Sequence, residues 1–201
     1  MLLVQVIDDG SRGRAITRTL RLDEDVDRKL RALAERDRVS INVIANKSLR
    51  RHVEWEALAE RFRFIAVSHD LLVKMLDYIP EEGIRELGKW SILNSVRGIY
   101  PLKGESLFIE IATLDYIGGY SRRYKIDQHV TGENLALVLT HQMGNKWSIL
   151  YEEVLKAILE DHLGREVKSF KIEKTENQVV ANIVVQRSSL EVGLEGPRLK
   201  N

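Results

Sequence analysis

From Ile16 the chain reads Ile-Thr-Arg-Thr-Leu-Arg-Leu, with Leu20 and Leu22 alternating against Thr19 and Arg21. A period of two with β-branched content predicts one short, half-buried strand. Asp23-Glu24-Asp25 follows, three acids suited to the positive end of a helix, and then Val26, Leu30, Leu33 and Ala34 recur at helical spacing. A first helix is therefore expected from about Glu24 to Arg36. Asp37-Arg38-Val39 breaks the stripe, and Ser40 offers an N-cap to a second one carrying Ile41, Ile44, Ala45, Ser48, Leu49 and Val53. That second helix starts near Ser40 and reaches at least Trp55, and Ala57, Leu58, Ala59 and Phe62 continue its pattern as a connector.

One strand and two short helices cannot bury their own apolar faces, and a lone strand leaves both edges unpaired. A second copy answers both needs if the strands pair antiparallel about a two-fold axis with four helices packed beneath the ribbon. Leu20, Leu22, Val26, Leu30, Leu33, Ile41, Ile44, Ala45 and Leu49 are the expected shared core. Arg18 falls on the core side of the alternation and is expected at the rim.

Farther on, Ser68 can cap a helix through Tyr78, and Pro80 suits the first position of another from Glu81 to about Trp90. Glu105 to Tyr116 reads as a helix stopped by Gly118-Gly119, although Leu107 to Ile111 alone fits a strand equally well. Tyr124 to His129, the turn Thr131-Gly132-Glu133-Asn134 and Leu135 to Thr140 predict a hairpin; Asn145 to Leu163 predicts a helix closed by Gly164. Val167 to Lys174, Glu176-Asn177 and Val179 to Val185 predict a second hairpin. The fold class expected is α+β, ending in a ββαββ domain whose helix turns Trp147, Leu150, Val154, Ile158 and Leu163 toward a sheet. The divisions expected are a flexible N-terminal arm (1–14), a β-α-α unit (15–56), an α+β domain (57–187) and a mobile tail (188–201).

With 201 residues, 44% hydrophobic and 30% charged, the chain can bury a real core. The formal net charge of +1 hides an asymmetry. Residues 11–52 hold twelve Lys or Arg against six acids, whereas 57–201 hold nineteen against twenty. The basic surplus of the first part is an electrostatic footprint for a polyanion. The absence of Cys excludes disulfide scaffolds, Cys-ligated zinc, iron–sulfur clusters and thiol nucleophiles, and fits a reducing compartment. No apolar run approaches the ~20 residues of a membrane helix, and Met1 to Ile7 lacks a signal peptide's charged start, so a cytoplasmic protein with no membrane partner is expected.

The stretch Thr17 to Val53 resembles the ribbon-helix-helix DNA-binding domain of the Arc and MetJ repressor type. The features that carry the resemblance are a strand, Leu-Asp-Glu-Asp-Val, Leu-Arg-Ala-Leu-Ala-Glu-Arg, a short turn and Ser-Ile-Asn-Val-Ile-Ala. The likeness covers about a fifth of the chain and rests on apolar spacing; Arg38 stands where such domains often carry Gly. It implies an intertwined homodimer whose two-stranded ribbon enters the major groove of double-stranded DNA. The outward residues Thr17, Thr19 and Arg21 would then contact base edges, Arg21 through the O6 and N7 of guanine and the threonines through hydroxyl and methyl groups. It further implies that the start of the second helix, Ser40-Ile41-Asn42, holds a backbone phosphate. Arg12 and Arg14, in a Gly-Ser-containing stretch before the strand, would add phosphate contacts from a flexible arm. Lys47, Arg50 and Arg51 lie farther along the second helix and read as a solvated face.

In the remainder, Thr140 to Ser148 places His141, Asn145 and Trp147 in a strand-to-helix turn, where ligands often bind; a capped turn over a buried Trp fits the same residues. The five histidines form no i, i+4 pair and no HExxH, so a metal would rest on the convergence of His129 and His141 alone. No GxSxG, P-loop or GxGxxG is present. The expectation is a DNA-binding transcriptional regulator, with no catalytic residues, metal or cofactor, acting as a homodimer or dimer of dimers. Its C-terminal domain would take a small-molecule effector or a protein partner, or only itself. An antitoxin using the same head for autoregulation is the alternative, disfavoured by folded-domain patterning where antitoxin tails are usually short and disordered. An enzyme or sensor tethered to the head is a third.

Overall fold

The computed structural model describes residues 16–61, 63–92 and 106–187. The expected N-terminal arm, with Arg12 and Arg14, and the expected tail from residue 188 lie outside the described residues. The chain divides into two compact units between Ile65 and Ala66. This is later than the boundary expected at residue 56, because the second helix does not end there.

In the first unit, α1 (Glu24–Asp37) begins with Glu24, Asp25 and Asp27 near its unpaired amides, where negative charge opposes the helix dipole. Lys29–Asp25 at 2.9 Å and Arg31–Asp27 at 2.8 Å add i, i+4 pairs on its surface. The helix stops because Arg38 takes a left-handed conformation (φ 55°, ψ 43°), its amide donating to the Glu35 carbonyl and that of Val39 to Ala34. Arg38 thus occupies the conformation that Gly fills in related turns, at a steric cost of about 1 kcal/mol. Next, α2 (Ile41–Arg51) is capped by Ser40, whose Oγ accepts the Val43 amide at 3.3 Å. The helix then widens into a π-helical turn (His52–Glu56) and resumes as α3 (Ala57–Arg61). Within that turn Ala57 N–H donates to the His52 carbonyl, and the i, i+5 register sets Arg51 Nε 3.1 Å from Glu56. Buried Trp55 stacks on Phe64 with centroids 5.6 Å apart, which ties residues 63–65 to this unit.

Residues 16–23 form neither helix nor strand within the chain. A strand exists only by pairing, and no described segment pairs with this one, so the expected β element is absent from a single chain.

The second unit comprises α4 (His69–Asp77), α5 (Glu81–Ser91), α6 (Leu107–Ser121), β1 (Lys125–Thr131), β2 (Asn134–Thr140), α7 (Asn145–His162), β3 (Val167–Lys174) and β4 (Gln178–Val185). The ββαββ order of its last part is as expected. All neighbouring strands are antiparallel in the order β1-β2-β4-β3, so the second strand of each hairpin lies at the centre. Alternation decides the faces: Leu135, Leu137 and Leu139 of β2 and Val179, Ala181, Ile183 and Val185 of β4 are buried, and α7 packs against β3 and β4. Inward along α7 lie Trp147, Leu150, Val154 and Ile158, as the 3.6-residue period requires. A second layer follows where α5 crosses α7 so closely that a Cβ at Gly88 would sit 2.7 Å from the Leu150 carbonyl oxygen. Arg85 of α5 meets Glu153 of α7 at 2.8 Å, and Lys146 Nζ donates to the carbonyls of Leu76, Asp77 and Ile79 at the end of α4.

Two expectations are corrected here. Gly118-Gly119 does not stop α6, which is helical throughout and ends instead at left-handed Arg122. Gly118 serves packing: the Tyr124 ring occupies the place a Cβ would take, while nothing lies near Gly119. Leu163 does not face the sheet and is 46% exposed, because α7 ends at His162 and the chain turns through left-handed Gly164 (φ 77°). His162 is buried in its stead, its Nδ1 3.2 Å from Glu166 and its Nε2 3.9 Å from Glu110. Among the described residues no helix is long and apolar enough to cross a membrane.

Candidate nucleic-acid interface

Thr17, Thr19 and Arg21 are all exposed on the segment leading into α1, and so are the alternate residues Ile16, Arg18, Leu20 and Leu22. The expected inward side is therefore open: Leu20 is 60% and Leu22 47% exposed. The helices repeat this. Of the apolar residues expected in the shared core, Ile44 alone is buried; Leu30, Ile41 and Ala45 are half-buried, and Val26, Leu33 and Leu49 are exposed. Ala34, packed where α1 meets α2, is buried as well. A single chain thus leaves several aliphatic side chains of this unit in water, an arrangement that costs free energy and suits an interaction surface.

Charge sorts the basic residues. Lys29, Arg31, Arg36 and Arg50 each pair with an acid one to four residues away, and Arg51 with Glu56. Arg36 hydrogen-bonds Asp37 at 2.7 Å and holds that carboxyl below its ordinary range. Of the other basic residues in 16–51, Arg18, Arg21, Arg28, Arg38 and Lys47 have no ion pair among the described residues. The solvated reading of Arg50 and Arg51 agrees with their pairing. Ser40 uses its hydroxyl as a cap, and the amides of Ile41 and Asn42 are among those a helix start leaves without intrahelical acceptors. The segment bearing Thr17, Thr19 and Arg21 and this helix start lie in the same unit, linked by α1.

The expected ligand turn in the second unit is different. His141 is buried, its Nδ1 accepting the Met143 amide at 3.1 Å and its Nε2 lying 3.0 Å from Ser148 Oγ, which in turn donates to the Glu176 carbonyl at 3.1 Å. An amide donor on Nδ1 requires the lone pair there, so the proton sits on Nε2 and the ring is neutral. Burial pushes its pKa down to about 4. Trp147 is buried against Tyr151, with centroids 5.5 Å apart, and Asn145 is exposed at the start of α7. The turn is held by internal bonds, including Gly144 N–H to Asn177 Oδ1 at 3.0 Å. Beside it lies a cleft of about 320 Å³ between α4 and the β3–β4 turn, lined by His69, Asp70, Lys74, Gln142 and Glu176.

His129 projects from the outer face of the sheet while His141 is enclosed at its end, so the two do not converge. Among the described residues no three His, Asp or Glu side chains are grouped to hold a metal. Sequence reasoning missed the outer sheet face itself, a shallow basin of about 490 Å³ that includes His129, Ala136, Lys171 and Asn182. Alternation signalled each strand's outward set, but which residues stand side by side depends on a register that no single strand specifies. Compared with family models, characterised proteins and solved structures, the chain matches none.

Proposed function

We propose that this protein is a homodimeric, sequence-specific DNA-binding regulator of the ribbon-helix-helix kind. In this reading residues 16–22 of two chains pair as an antiparallel ribbon over four helices. The observation that carries it is the exposure of Leu20 and Leu22, on a segment with no partner strand among the described residues, together with that of Val26, Leu33 and Leu49 on α1 and α2. Pairing would place these side chains in a common core and turn Thr17, Thr19 and Arg21 the opposite way, because successive residues of a strand alternate. Arg21, on the outward side with no ion pair among the described residues, would supply positive charge where the DNA approaches, with Arg18 at the rim. Ser40, Ile41 and Asn42 would hold a phosphate beside the groove.

Selection of bound duplexes from a random library tests this directly, since a two-fold dimer reading the major groove returns a palindromic motif. Arg21→Ala should weaken binding by about 1–3 kcal/mol and relax preference at one base position per half-site. With ~6 phosphates neutralised per dimer, log K should fall with log salt at a slope of roughly −5. Recovery of no symmetric motif, with affinity independent of salt, would overturn the proposal.

A further inference from the structure

The outer face of the four-stranded sheet, turned away from α7, carries a pattern that is complementary to itself. Strand register sets its rows. Asp127 of β1, Val138 of β2, Val180 of β4 and Glu173 of β3 stand side by side, and the next row is His129, Ala136, Asn182 and Lys171. One row is acidic at both edges with two valines between; its neighbour carries His129 and Lys171 at the same edges. Ala136, Val138 and Val180 are only part-covered, and the basin over this face is lined by sheet residues alone.

The geometry points to a second copy of this same sheet as the occupant of the face. Consider two sheets stacked about a two-fold axis that runs across the strands between the two rows. Each row then faces the other row of its partner. Lys171 meets the copy's Glu173, His129 meets the copy's Asp127, and Ala136 packs on the copy's Val138. The alternative axis, running along the strands, would set Asp127 over Glu173 and repel, so the charges select one arrangement. Aligned sheet packing about 10 Å apart leaves the edges within reach of long side chains such as Lys171 and Glu173, which are 74% and 57% exposed and 2.5 Å from one another within the chain. A nucleic acid suits the face poorly: it is balanced in charge, and these rows hold no Phe, Tyr or Trp for bases to stack on.

Four strands of about seven residues present roughly 400–500 Å², below the ~800 Å² per partner of a standard interface. The pairing therefore depends on chains already held together, which raises their effective concentration. In that respect it rests on the proposed N-terminal dimer.

The chain contains no Cys, so one introduced thiol labels one place. A nitroxide on Gln178→Cys of the full-length protein, in the row beyond Val180, should report a spin–spin distance of about 20–25 Å between chains. Lys171→Glu and Glu173→Lys should each abolish that distance, and the double swap should restore it. Sedimentation of the same samples keeps the two readings apart. A dimer with no distance in this range overturns the sheet pairing alone, and a monomer overturns both. A short distance indifferent to the charge swaps overturns the register.

Discussion

Leu20→Ala separates a paired ribbon from a free arm by its energetic consequences. In one chain the residue is 60% exposed, so removing three carbons there costs a few tenths of a kcal/mol at most. In a ribbon the exposed part becomes buried. Full burial of a leucine is worth about 1.5–3 kcal/mol, so burying the open 60% contributes about 1–2 kcal/mol per chain, and the two-fold doubles this to about 2–4 kcal/mol per dimer. Dimerisation should weaken by roughly 30- to 1,000-fold. Sedimentation equilibrium over a range of concentrations measures it, and thermal unfolding offers a second readout, because the Tm of a dimer rises with protein concentration. Thr19→Ala, one position away on the opposite side, should leave the association unchanged and weaken DNA binding instead. An association constant indifferent to Leu20→Ala, together with a concentration-independent Tm, would refute the reasoning.

Arg38→Gly should stabilise the first unit by about 1 kcal/mol, since Gly adopts φ 55° without the clash a Cβ meets, and chemical denaturation would show it as a raised midpoint. In α6, Gly118→Ala should cost about 1–3 kcal/mol against the buried Tyr124 ring, whose hydroxyl is anchored to the Leu114 carbonyl at 2.9 Å. Gly119→Ala, with open space around it, should instead gain up to about 1 kcal/mol from helix propensity; equal effects at the two positions would count against the packing account. Stability should also depend on pH through His141. Its folded pKa of about 4 lies below the ordinary value of 6.5, so between these limits the unfolded chain takes up a proton that the folded one refuses. Stability is therefore full above pH 6.5 and falls as pH drops toward 4, with a slope of at most about 1.4 kcal/mol per pH unit. Urea titrations across this window should show that slope reduced in His141→Asn.

Much of the fold was legible because its signals are local. Ser40 and Ser68 mark helix starts through their own hydroxyls, each accepting the amide three residues on. The alternation of Leu135, Leu137 and Leu139 fixes the buried face of β2 wherever its neighbours lie. Where reading failed, a distant residue had overridden a local rule. Gly118 looked like a stop until Tyr124 was seen against it, and Leu163 looked inward until the chain turned at Gly164. The site divided in the same way. Period two alone groups Thr17, Thr19 and Arg21 on one side, a side that would exist only if the segment pairs as a strand, whereas His141, Asn145 and Trp147 looked convergent only because they are close in sequence.

Composition and periodicity by themselves determined that two amphipathic helices with a basic surplus precede an α+β domain, since hydrophobic spacing is a property of the chain before it folds. Tertiary structure decided that His141 is a neutral strut bonded through Ser148 to the Glu176 carbonyl, and that Asp127 and Glu173 share one row with Lys171 and His129 in the next. Those are relations between residues far apart in sequence, and only the register and packing of the folded chain bring them together.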